Sequence, residues 1–208
     1  MNYTRRTAMK TIAAGTATLL TFPHAVFAQE DAPKVIDMTL GAEDAPITII
    51  EYASFTCPHC ANFHTDVMGD LKADYIDTGK VKFIYREVYF DRFGLWAGLL
   101  ARCGGEAKYF GFIDLLYSRQ REWMAGGADP TTIIANMKKL GKIAGLGDET
   151  MDACLQDQEK AQAMVAEFQK NATADEINAT PTFMIDGEQY SNIAYSELKE
   201  LLDSKLGS

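Results

Sequence analysis

Hydrophobic and polar positions follow two different periods along this chain. The run Ile47–Tyr52, "ITIIEY", is almost continuously apolar and β-branched, which predicts a central strand buried on both faces. A second strand is predicted over Val81–Val88, "VKFIYREV", and a short one over Val35–Leu40. The turn "GAEDAP" follows the short strand, with Pro46 opening the next. Between the two long strands the period becomes helical. Cys60, His64, Val67, Met68, Leu71 and Tyr75 fall on one stripe, Pro58 sits in the first turn, and Thr78–Lys80 closes the element. From about Leu95 to Thr173 the signals are helical. Asp129 reads as an N-cap with Pro130 behind it, and Ile133, Met137 and Leu140 share a face. A further helix is predicted from Asp148, burying Met151, Leu155, Val165 and Phe168. At Thr180 the pattern returns to strands, with Asp186–Gly187 as a hairpin turn, and a last helix begins near Ser196 with Leu198, Leu201 and Leu202 inward.

The order is βαβ, a helical stretch, then ββα. That is the order of an α/β thioredoxin fold with an inserted helical subdomain at about 95–173. A length of 208 residues, 47% hydrophobic and 24% charged, suits one sizeable domain with an insert. The formal charge of −9 argues against a nucleic-acid partner. Residues 1–28 differ from the remaining 29–208. A basic "MNYTRRTAMK", a weakly apolar run and "VFA" at Val26–Ala28 predict an export signal cleaved after about Ala28, too short to span a membrane. The stretch "TRRTAMK" resembles a twin-arginine signal, with Arg5–Arg6 and Lys10, departing from it at Ala8; general secretion is the alternative. Cleavage removes those three cations and no acid. Export places the chain in an oxidising periplasm, where four cysteines can make two bridges.

The chemistry concentrates in Ser54–His64, "SFTCPHCANFH". Cys57 falls at a helix N-terminus, where unpaired N–H groups and the positive end of the macrodipole favour a thiolate. The thiolate is the nucleophile of disulfide exchange, so Cys57 is expected to attack and Cys60, one turn inward, to resolve. His59, between them, is expected to stabilise the Cys57 sulfur, which would make the disulfide form the more oxidising. Glu51 is an acid inside an apolar strand. It is either a buried carboxylate that exchanges protons with Cys60 or a strand-end residue reaching water. His64, on the inward stripe, is expected to be a satisfied packing residue. In "ATPTF" the Thr180–Pro181 bond is either cis, which would leave the Thr180 backbone open to an extended peptide, or trans and merely the start of a strand.

The CPHC motif after an apolar strand, the helical insert, and TPTF before a hairpin and helix together resemble the DsbA-like thiol:disulfide oxidoreductases of the thioredoxin superfamily, alphaproteobacterial type. The resemblance implies a periplasmic dithiol oxidase that introduces disulfides into exported proteins. It would need no cofactor beyond a redox-active Cys57–Cys60 disulfide and would bind no metal. Its partners would be unfolded exported proteins with free thiols and a membrane-bound, quinone-linked reoxidising protein, and it would act as a monomer. The resemblance assigns Cys57 as attacking and Cys60 as resolving residue, Pro58–His59 as the tuning dipeptide with His59 as thiolate stabiliser, Glu51 as the buried acid, Pro181 as a cis-proline and Thr180–Pro181 as substrate-binding. Two departures stand out. Tyr85 occupies the place of a lysine that partners the buried acid, and Thr180 replaces a valine. Threonine at that place is familiar in disulfide isomerases, so isomerase or reductase activity is the alternative. A metal-delivery module and a non-catalytic peptide-binding role are more distant ones. Cys103 and Cys154, both in the insert, are expected from similar second pairs in these relatives to form a structural bridge.

Overall fold

The computed structural model describes residues 33–207; the expected export signal lies outside the described residues. Five strands form one sheet in the order β1-β3-β2-β4-β5. They are β1 (Met38–Leu40), β2 (Ile47–Ala53), β3 (Val81–Glu87), β4 (Thr182–Ile185) and β5 (Glu188–Ser191). β2 and β3 run parallel, as a strand–helix–strand crossover requires, and the other pairs are antiparallel. Central β2 is buried along most of its length, which is why it reads as a continuous apolar run. The β4–β5 turn has positive φ at both Asp186 (48°) and Gly187 (86°), the conformation that an Asp-Gly hairpin favours.

The crossover element is not one helix. It comprises α1 (Pro58–Asp66), α2 (Met68–Leu71) and a π-helical turn over Lys72–Ile76. The break falls at Val67, whose φ of −121° leaves the helical region. Leu71 at the end of α2 and Tyr75 in the π turn both still face the core, while Val67 is half-buried. β1 is also shorter than its apolar pattern suggested, because only Met38–Leu40 pair with β3.

The helical region comprises α3 (Arg92–Cys103), α4 (Glu106–Ser118), α5 (Gln120–Trp123), α6 (Pro130–Ile143), α7 (Asp148–Gln156) and α8 (Gln158–Ala174). α6 starts as its sequence signals require: the Asp129 carboxylate accepts from the N–H groups of Thr131 and Thr132, and Pro130 is in the first turn. The helix predicted from Asp148 is divided at Asp157, whose side chain caps α8. The restart shifts the helical phase, so Met164 rather than Val165 is the fully buried residue of α8. α9 (Tyr195–Leu206) closes the chain with Leu198 and Leu202 buried. Among the described residues no helix is long and apolar enough to cross a membrane.

Candidate active site

The loop from β2 into α1 is held from two sides by the helical region. On one side the Thr56 hydroxyl donates to Asp91 Oδ2 at 2.6 Å, while Asp91 Oδ1 caps α3 by accepting from Phe93 and Gly94 N–H. On the other side Gln120, only 8% exposed, donates through Nε2 to the carbonyls of Phe55 (2.8 Å) and Cys57 (2.9 Å). The loop closes with Cys57 N–H on the Ser54 carbonyl at 3.0 Å. Cys57 is thereby the extended N-cap residue of α1, with Pro58 at the first helical position.

Cys57 is half-buried and Cys60 fully buried, both free thiols. Their environments act in opposite directions. The Cys60 thiol hydrogen-bonds to the Cys57 sulfur and lowers its pKa to about 5, against the opposing effect of burial; the Thr180 side chain and the backbone N–H groups of Cys60 and His59 lower it further. Burial pushes the Cys60 thiol far up, and the neighbouring Cys57 sulfur and Glu51 charge add to this. His59 contributes through its backbone. Its side chain is exposed, and among the described residues its imidazole makes no hydrogen bond. The Thr180–Pro181 peptide is cis and brings the Thr180 carbonyl to 3.4 Å from Cys57 Sγ.

Glu51 is 0% exposed, so it is the buried carboxyl of the two sequence readings. Strand register places it opposite Tyr85 of β3 and Phe183 of β4. Its partner is His64, whose Nε2 lies 2.8 Å from Glu51 Oε2 with a side chain only 2% exposed. Tyr85 shares a 2.6 Å hydroxyl hydrogen bond with Tyr117 of α4 instead, and the Tyr117 ring stacks on His64 at 4.2 Å. His64 therefore does more than pack. A buried acid needs a partner, and an inward histidine thirteen residues on was available in the sequence to supply it. Gln120 carried no such signal, because its partners are loop carbonyls distant in sequence, and the same holds for the bond between Asp91 and Thr56.

Cys103, at the end of α3, is bonded to Cys154 of α7, with Cα atoms 5.9 Å apart. Among the described residues no three His, Cys, Asp or Glu side chains converge as a metal site would require.

A mixed sheet carrying a C-x-x-C helix N-terminus against a cis-proline loop defines the class, and the family model for thioredoxin matches residues 34–204. The chain belongs to the thioredoxin family. Within it, similarity runs to the disulfide-forming proteins. A Rickettsia bellii protein provisionally named a protein-disulfide oxidoreductase is 30% identical over 171 residues, covering 82% of this chain and 64% of that protein. The chain thus spans slightly under two-thirds of the length of that relative. Disulfide bond formation protein D of Bacillus subtilis is 26% identical, covering 80% of this chain and 76% of its own. The crystal structure of Wolbachia pipientis alpha-DsbA1 matches with a TM-score of 0.76 at 26% identity, covering 84% of this chain and 93% of that one.

Proposed function

We propose that this protein is a DsbA-like thiol:disulfide oxidoreductase that oxidises dithiols of exported proteins. The observation that carries this reading is the opposite treatment of two cysteines three residues apart: Cys57 is held toward the thiolate and Cys60 toward the thiol. A client thiolate attacks Cys57 of the Cys57–Cys60 disulfide, and the bond breaks with Cys60 leaving. A second client thiolate then attacks the client sulfur of the mixed disulfide, forming the client disulfide and releasing Cys57 as a thiolate. Two electrons pass from client to enzyme. A leaving thiolate of low pKa speeds the second step and stabilises the reduced enzyme, so the disulfide form is oxidising. The Thr180 side chain supports the same direction, since it stabilises the Cys57 thiolate.

The basic-then-apolar sequence of residues 1–28 supports a periplasmic location. A protein that ends each cycle reduced needs a reoxidising partner, and a membrane-bound quinone-linked one fits that location. Redox equilibrium of the purified protein against glutathione tests the direction. We expect a potential well above that of thioredoxin, with Cys57→Ser inactive and Cys60→Ser accumulating mixed disulfides seen by mass spectrometry. A potential near that of thioredoxin would favour the reductase alternative.

A further inference from the structure

Cys60 must change protonation state in each cycle, yet it is 0% exposed. It leaves as a thiolate when a client attacks, and it must lose a proton before it attacks in reoxidation. It is out of contact with bulk solvent, so a buried acceptor beside it gives the proton a shorter route than solvent does. Glu51 is near enough for its charge to raise the Cys60 thiol. A carboxylate as deeply buried as Glu51 is costly unless a hydrogen-bond donor meets it. His64 is the donor on hand, at 2.8 Å through Nε2.

Resting on the oxidoreductase reading above, we propose that His64 is a positioning residue for proton transfer at Cys60. It holds Glu51 through one carboxyl oxygen and leaves the second open to the thiol proton. Two features of the packing fit this role. Glu51 Oε1 and His64 Nδ1 are buried side-chain atoms with no hydrogen-bond partner among the described residues, so one carboxylate oxygen is uncommitted. The His64 ring is also fixed, stacked on Tyr117 and edge-on to Tyr85 and Phe63. The groups around the pair are Cys60 of α1, Tyr85 of β3, and Tyr117 and Asp114 of α4. Burial raises both tyrosines well above their ordinary range, so they remain neutral and do not compete for the proton.

In reoxidation the step balances as follows. Cys60 sulfur bonds to Cys57 sulfur as the bond between Cys57 and the partner's sulfur breaks. The partner leaves as a thiolate with the electron pair, and the Cys60 proton passes to Glu51. In client oxidation the proton returns from Glu51 to Cys60 as that sulfur leaves.

The test separates resolution from attack. Reduced wild type, His64→Leu and His64→Gln are each mixed with oxidised glutathione, so that Cys57 forms a mixed disulfide that Cys60 then resolves. Release of glutathione is timed by rapid quench across pH, and the rate of attack at Cys57 is measured alongside. His64→Leu should lower the ratio of resolution to attack at least tenfold at neutral pH, and the deficit should shrink as pH rises and hydroxide deprotonates Cys60. His64→Gln, which keeps an N–H donor, should recover most of the ratio. An unchanged ratio in folded His64→Leu overturns the proposal while leaving the oxidoreductase reading intact. A wild type whose Cys57 does not react with oxidised glutathione overturns that reading itself. Should His64→Leu not fold, carbon NMR of the Glu51 carboxyl in the wild type decides. Its signal should move between the oxidised and the reduced protein, and an unmoved signal overturns the proposal.

Discussion

The two cysteine pairs of this protein share a residue type and little else. Cys57 and Cys60 lie one helical turn apart on the thioredoxin half, free, with their pKa values driven in opposite directions. Cys103 and Cys154 lie 51 residues apart in the helical insert and are bonded. The first pair sits where a helix N-terminus, a cis-proline loop and a buried acid meet. The second joins α3 to α7, away from those groups. Disulfide chemistry is therefore set by position: a sulfur beside N–H groups is poised to exchange, and one between two packed helices is positioned to staple them.

The largest expected effect comes from removing the staple. In the chain-entropy account a bridge closing a loop of this length contributes about 4 kcal/mol by restricting the unfolded chain. Cys103→Ala with Cys154→Ala should lower unfolding stability by roughly that amount in a urea titration. The Cys57 thiolate titration should stay where it is. A large shift in that titration would show that the two pairs are coupled and would break the comparison.

How far each pair was legible in sequence differs for a physical reason. The C-x-x-C motif, the strand before it and the proline loop are local patterns, and local patterns survive without coordinates. The βαβ–insert–ββα order was legible for the same reason, as was the Asp186–Gly187 turn. The breaks at Val67 and Asp157 were not, because an apolar stripe does not reveal a single residue leaving helical geometry while its neighbours stay in phase. The Glu51–His64 pair was half legible. His64 reads as inward-facing, while Glu51 reads equally as a buried acid or a strand-end residue reaching water, and their meeting depends on how α1 crosses β2. Gln120 was invisible, since nothing in "SRQREW" indicates that one polar side chain turns inward.

Gln120 also joins the two regions, so it sharpens the comparison. It is the one buried side chain of α5 that reaches across to the Phe55 and Cys57 carbonyls. Gln120→Leu keeps the bulk and leaves those acceptors without their donor. Stability should fall by about 1–3 kcal/mol, the usual cost of an unsatisfied buried polar group. The Cys57 titration should broaden or shift as the loop loosens. An unchanged titration with the same loss of stability would make the insert a support for the fold alone.

The smallest effect tests the Cys57 side of the pair by itself. Cys57 has a pKa lowered to about 5, so its thiolate stabilises the reduced fold above the ordinary thiol range, and that stabilisation is lost as pH falls through about 5. Alkylation of reduced protein should follow the same curve, rapid at neutral pH and slowing with a midpoint near 5. The Cys60 thiol is the main cause of the shift and the Thr180 side chain a lesser one. Thr180→Val removes only the lesser hydrogen bond and keeps the β-branched shape beside Pro181. The midpoint should therefore rise, by a fraction of the total shift, and the protein should become a slightly weaker oxidant, because a less stable thiolate favours the disulfide form. Stability at pH 7 should move little for the oxidised protein, in which Cys57 carries no charge. A fall in the midpoint, or none, would mean that the Thr180 hydroxyl does not reach the sulfur in solution and that Cys60 and the helix N–H groups account for the whole shift.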